Sequence, residues 1–236
     1  MREHPKRNQK CKRSFFTNGV VITAVLSFFL PIALAHQPRL VGDETEVIVT
    51  LPEISKAYYG NLAGQPATYH IEATDTFRLY VNILVPDIEG AGKDVSVKIL
   101  KKSDVISVLD ASAHVWTEFY EPFAGDAYYR GPEYIETQGP GDYEIQVYSP
   151  DNHGKYVLAI GDREAFPFGE LVKTYLVLPR LKSEFFGKSP FSAYSNLMGI
   201  FLGFMLLVTL IIAAILYSGI RFIKKRLKVT NQKNPE

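Results

Sequence analysis

Two uncharged stretches, residues 14–35 and 189–220, each carry six Lys and Arg on their outer flank and enclose a strongly acidic middle. The second contains 24 consecutive uncharged residues at 197–220, dominated by Leu, Ile, Phe, Val and Ala. At about 1.5 Å per residue such a helix is roughly 36 Å long, enough to cross a hydrocarbon core of about 30 Å with some tilt. Arg221, Lys224, Lys225, Arg226, Lys228 and Lys233 come directly after it, which places the C-terminal tail, 221–236, in the cytoplasm. At the other end a basic leader precedes an apolar run that closes on Ala33-Leu34-Ala35. These are the parts of a signal peptide over 1–35, cleaved after Ala35 or retained as an anchor, and either outcome exports the chain from His36 onward.

The formal charge of +1 hides this division. Residues 36–189 hold 14 Lys and Arg against 23 Asp and Glu, a balance of −9. An acidic exported domain argues against nucleic acid as a partner and leaves the lipid bilayer and another membrane or envelope protein. The single cysteine, Cys11, lies in the leader, so the exported region has neither a disulfide nor a cysteine nucleophile, and no Asn-x-Ser/Thr acceptor occurs. A bacterial or archaeal envelope fits these features.

The middle of the chain has the period of strands. Phe77, Leu79, Val81, Ile83 and Val85 alternate with Arg78, Tyr80, Asn82 and Leu84, and Val95, Val97 and Ile99 alternate with Ser96 and Lys98. Further strands are expected at 46–51, 67–73, 105–110, 133–138, 142–149 and 155–161, separated by Gly, Pro and Asp turn signals. Seven to nine short strands without an amphipathic helix predict a mainly β ectodomain, an antiparallel β-sandwich of jelly-roll type, over 36–166. Residues 142–161 read as a hairpin, with Tyr143, Ile145 and Val147 answered by Tyr156, Leu158 and Ile160. The aromatic and basic segment 167–196 is expected either to rest at the headgroup level or to pack on the sandwich as a last element, with Pro179 breaking its helix or strand.

Tyr59-Gly60-Asn61-Leu62-Ala63-Gly64 before Ala67-Thr68-Tyr69-His70-Ile71, and Gly139-Pro140-Gly141-Asp142-Tyr143 before Gly154-Lys155-Tyr156-Val157-Leu158, resemble the pre-peptidase C-terminal type of β-sandwich. Residues 116–123 and 154–166 are similar to membrane-anchored bacterial proteins with the same exported-domain-plus-helix plan. The resemblance implies a non-catalytic binding or accessory module. The plan is also similar to Golgi-dynamics sandwiches, but the disulfide pair of those domains is missing.

No Gly-x-Ser-x-Gly elbow, Ser-x-x-Lys, His-Glu-x-x-His or Walker pattern appears, and His36, His70, His114 and His153 are scattered one per segment. The residues point to no enzyme, no cofactor and no metal. The one cluster with chemical promise combines Glu118, Glu121 and Asp126 with Trp116, Tyr120 and Tyr128, expected as a ligand or partner contact. Its alternative uses are an acid and base pair of an envelope glycan hydrolase, or oxygen ligands of a Ca²⁺-dependent carbohydrate site. Its bland reading is a capping connection with aromatics buried and acids solvated. In the C-terminal helix, Gly199 and Gly203 have the spacing of a helix-packing contact.

Overall fold

The computed structural model describes residues 36–122, 124–165 and 167–233, without the side chains at 168, 171, 198, 201, 202, 205 and 222–233. The expected leader, 1–35, and the end of the tail lie outside the described residues. The strands are β1 Gln37–Gly42, β2 Glu46–Ile48, β3 Lys56–Ala63, β4 Ala67–Ala73, β5 Phe77–Pro86, β6 Ser96–Lys101, β7 Asp104–Leu109, β8 Thr117–Glu121, β9 Asp126–Gln138, β10 Gly141–Tyr148 and β11 His153–Ile160. They form a six-stranded sheet, β1-β3-β11-β5-β9-β8, and a five-stranded sheet, β2-β4-β10-β6-β7. The sequence expectation of seven to nine strands was thus too low.

The expected two-layer sandwich is present, with two corrections. It is not wholly antiparallel: β1 pairs with β3 and β2 with β4 in parallel, one at the edge of each sheet. Nor do β10 and β11 make a hairpin. β10 bonds to β4 and β6 in one sheet, whereas β11 bonds to β3 and β5 in the other. Tyr143, Ile145 and Val147 therefore meet Tyr156, Leu158 and Ile160 across the core, because each strand turns its alternate apolar side inward. Tyr69 and Tyr156 hydrogen-bond hydroxyl to hydroxyl at 2.9 Å between the layers. Burial pushes the Tyr156 phenol up to about 12 and the Tyr69 phenol well above its ordinary value.

Strand β3 carries no alternation because it is buried on both faces over Lys56 to Gly60, which is why its sequence did not announce it. Strand β9 runs through Gly131 and Pro132, where the sequence reading started the strand only at Glu133. A register shift opposite Asn82 and Leu84 accommodates the two residues, and the buried Asn82 amide donates to both freed carbonyls, Gly131 and Pro132, at 3.1 Å each.

After β11 the chain forms helix α1, Phe168–Arg180, a π-helical turn Leu181–Phe185, a 3-10 turn Pro190–Tyr194 and helix α2, Leu197–Lys233. Pro179 does not end α1: the helix includes it and widens immediately afterwards into the π turn. The C-terminal segment takes the second of its two expected places. Leu178, Leu181, Phe185, Phe186 and Ala193 cover the outer face of the six-stranded sheet, on Ala57, Tyr59, Leu84, Tyr128, Val157 and Ala159. That cover buries both faces of the sheet. Residues 167–196 therefore belong to the folded domain, and the expected boundary at 166 cuts through a core.

Among the described residues no helix is long and apolar enough to cross a membrane. The longest stretch of α2 with described side chains is 206–221, short of the about 20 residues that a span needs. Within it Leu206, Leu207, Leu210, Ile211, Ile212, Ile215, Leu216, Tyr217 and Ile220 are all exposed.

Candidate functional site

A buried cluster of charged and polar groups lies where the C-terminal segment docks on the six-stranded sheet. The turn between β8 and β9 is tight: Gly125 has φ 73°, its N–H donates to the Glu121 carbonyl at 2.9 Å, and the Ala124 N–H donates to Glu121 Oε2 at 2.6 Å. It delivers Asp126, the first residue of β9, to the outer face of the sheet with its side chain fully enclosed. The π turn brings in Lys182, also buried, whose ammonium donates to Asp126 Oδ2 at 2.5 Å and to the Ala124 carbonyl at 2.6 Å. The backbone then reverses at Gly187, φ 64°, and the Lys188 N–H returns to the Lys182 carbonyl at 2.8 Å. This reversal sets Lys188 Nζ 3.0 Å from Asp126 Oδ1.

Phe186 lies beneath both ammonium groups, 5.6 Å from Lys182 and 5.1 Å from Lys188, and packs edge-on against Tyr128 and Tyr59. The Tyr59 and Tyr128 hydroxyls are 3.3 Å apart. Burial raises both phenols above their ordinary range. The two ammonium groups give the enclosed carboxyl of Asp126 the hydrogen-bond and charge partners that an isolated buried carboxylate would lack.

The last member is Asn196. Its Nδ2 donates to the Ala124 carbonyl at 2.5 Å, and its Oδ1 accepts the Gly199 N–H at 3.3 Å, the third residue of α2. One side chain thus caps the long helix and ties its start to the sandwich. Gly199 makes the approach possible: a Cβ there would sit 1.6 Å from the Tyr194 carbonyl oxygen. Its glycine has this purpose within the chain, whereas Gly203 has open space around it.

The six residues expected as one contact cluster do not stay together. Trp116 leans on the main core and donates from Nε1 to the Ala111 carbonyl at 3.2 Å. Glu118 and Tyr120 are exposed on the same side of edge strand β8. Glu121 turns to the opposite side and caps the β8–β9 turn, while Asp126 and Tyr128 lie sealed under the C-terminal segment and cannot meet a ligand. Glu118, Glu121 and Asp126 therefore form no open acid and base pair. Among the described residues no group of three or more His, Cys, Asp and Glu could hold a metal ion.

Each histidine of the described residues has a local partner: His36 meets the Ser55 hydroxyl, His70 meets Glu46, His153 meets the Asp151 carbonyl at 2.8 Å, and His114 packs edge-on to Trp116. Glu164 leaves Oε2 buried with no hydrogen-bond partner among the described residues, and burial pushes its carboxyl up to about 7. Sequence reasoning missed Lys182, Lys188 and Asn196 as members of the site. Only Asn196 carried a signal, an Asn one residue before a long apolar helix.

No family model matches the chain, and no curated protein matches it. Solved structures similar to it include the pre-peptidase C-terminal domain of a collagenase from Bacillus anthracis, at 13% identity over 54% of this chain and 95% of that one, with a TM-score of 0.28. A CBM36-1 domain of a multidomain xylanase from the hindgut metagenome of Trinervitermes trinervoides shares 16% identity over 45% of this chain and 76% of that domain, with a TM-score of 0.23. A β-glucosidase from Paenibacillus barengoltzii shares 12% over 53% of this chain and 13% of its own length, again at 0.23. Scores this low carry no inference about function, and the sandwich rests on its own strand register.

Proposed function

We propose that this chain is a single-pass membrane protein that holds a non-catalytic β-sandwich outside the cytoplasm, where it binds as an accessory subunit beside another membrane protein or as a recognition module. The observation that carries this reading is the surface of α2. Large apolar side chains at 206, 207, 210, 211, 212, 215, 216, 217 and 220 are exposed together, and at 100° per residue they face every direction around the helix. A helix apolar all round needs an apolar surrounding on every side, and a bilayer provides it. The uncharged sequence at 197–220 is long enough for the crossing, and the basic residues after it favour a cytoplasmic tail.

The joint at Asp126, Lys182, Lys188 and Asn196 adds a second element to this reading. It starts the helix directly on the sandwich, so the domain is presented close to the membrane in one orientation. That suits a part that must meet a fixed neighbour more than one that sweeps a volume on a loose tether.

Topology mapping tests the proposal. In a Cys11→Ser background, Asp151→Cys and Lys228→Cys are labelled with a membrane-impermeant maleimide in sealed right-side-out vesicles, alongside extraction at alkaline pH. The expected result is labelling at 151 in sealed vesicles, labelling at 228 only after lysis, and a protein that resists extraction. Equal labelling of the two positions, or release into the alkaline supernatant, overturns the membrane reading.

A further inference from the structure

The side of the sandwich opposite β8 has a different character. There β1 and β2, the edge strands of the two sheets, stand open, and helix α1 lies beside them, leaving a groove of about 520 Å³. This is within the range of about 300–1,000 Å³ that takes a small ligand. Leu40, Val41, Val47, Tyr58, Leu176 and Val177 line it with apolar surface. Ile48 and Leu176 at its border are 80% and 64% exposed, so these aliphatic side chains have little protein cover.

Its charge runs against the rest of the domain. Arg39, Lys56, Lys173 and Arg180 line the groove, and none of its described lining residues is acidic, although the domain as a whole has 23 acids against 14 bases. Nearby carboxylates neutralise these cations only in part. Glu170 is shared between Arg39 at 2.6 Å and Lys173 at 2.8 Å, and Glu184 pairs with Arg180 at 2.9 Å. Among the described residues Lys56 bonds to carbonyls instead of a carboxylate: its ammonium donates to Thr50 at 2.7 Å, Leu51 at 2.9 Å and Ile54 at 3.4 Å. Two carboxylates thus face four cations around an aliphatic floor.

We propose that this groove binds a long-chain fatty-acid anion, with the aliphatic chain on the Leu40, Val47, Leu176 and Val177 surface and the carboxylate held by Arg39 and Lys173. An uncharged aliphatic ligand would leave the excess cations unanswered. A small inorganic anion would leave the exposed aliphatic side chains in water. This assignment stands on the groove alone and holds whether or not α2 crosses a membrane.

The test uses the full-length protein in an amphipol and a photoreactive hexadecanoate bearing a diazirine at its tail, with adducts mapped by mass spectrometry. Adducts are expected within 38–50 and 172–180, competed away by hexadecanoate and not by hexadecanol or inorganic phosphate. Lys173→Glu with Arg180→Glu, both on exposed side chains, is expected to lower labelling by about tenfold, as loss of charge complementarity should. Leu176→Glu is expected to lower it comparably with an unchanged melting temperature. Absence of groove adducts, adducts confined to α2, equal competition by hexadecanol, or labelling unchanged in the variants each overturns the assignment.

Discussion

Asp126 is enclosed and held by two lysines from a segment more than fifty residues further along the chain. Asp126→Asn leaves Lys182 buried without an opposite charge and is expected to destabilise the protein by about 3–5 kcal/mol. Lys182→Met is expected to cost less, because Lys188 still pairs with Asp126, and the double change Asp126→Leu with Lys182→Met should recover most of the Asp126→Asn loss. Thermal unfolding followed by near-ultraviolet circular dichroism of the purified full-length protein checks this. A single-variant cost below about 1 kcal/mol would place the pair in the range of solvated ion pairs. The sequence grouped Asp126 with Glu118 and Glu121 because all three acids lie near aromatics. Strand alternation and the distant cover then sent them to three different environments, and no local pattern encodes a cover that comes from so far along the chain.

At the scale of elements, the joint between the 3-10 turn Pro190–Tyr194 and α2 depends on the missing side chain of Gly199. Gly199→Ala forces the Tyr194 backbone to move, and overpacking of this kind costs about 1–3 kcal/mol. Limited proteolysis is the measurement: cleavage at 187–196 should accelerate in Gly199→Ala and stay at the parental rate in Gly203→Ala. Crosslinking in the membrane with Gly203→Ile separately tests whether the outer helix face contacts another helix. Strands β4, β6 and β10 were legible within a few residues because one of their faces is buried and the other polar, and β5, β7 and β11 because an apolar run of strand length stands between turn signals. Strand β3 was not, since burial on both sides erases the alternation and its Gly60-Asn61 reads as a turn. The N-terminal part of β9 was hidden by Pro132, whose lost donor is made tolerable by the bulge and the Asn82 side chain, both supplied by a neighbouring strand.

For the whole molecule, the C-terminal segment is the second cover of the six-stranded sheet and not a spacer. A chain ending at residue 166 leaves Tyr59, Leu84, Tyr128 and Val157 uncovered, an apolar face of the kind that drives association. It is expected to aggregate or to melt well below a chain ending at Asn196, which retains the cover and the Asn196 bond to the Ala124 carbonyl; size-exclusion chromatography and thermal unfolding of the two distinguish these outcomes. Equal behaviour would reduce the cover to an ornament of the full chain. The acidic β domain and the apolar helix with basic residues after it were readable from charge and hydropathy, because those properties act through solvent and need no partner. The two-layer architecture was readable as well, since a period of two forces one face inward. Which strands share a sheet, that β10 and β11 face each other across the core, and that Lys182, Lys188 and Asn196 close on Asp126 and Ala124 were decided only by the tertiary structure. Those pairings join residues distant in sequence, and their energies come from burial that no single segment creates alone.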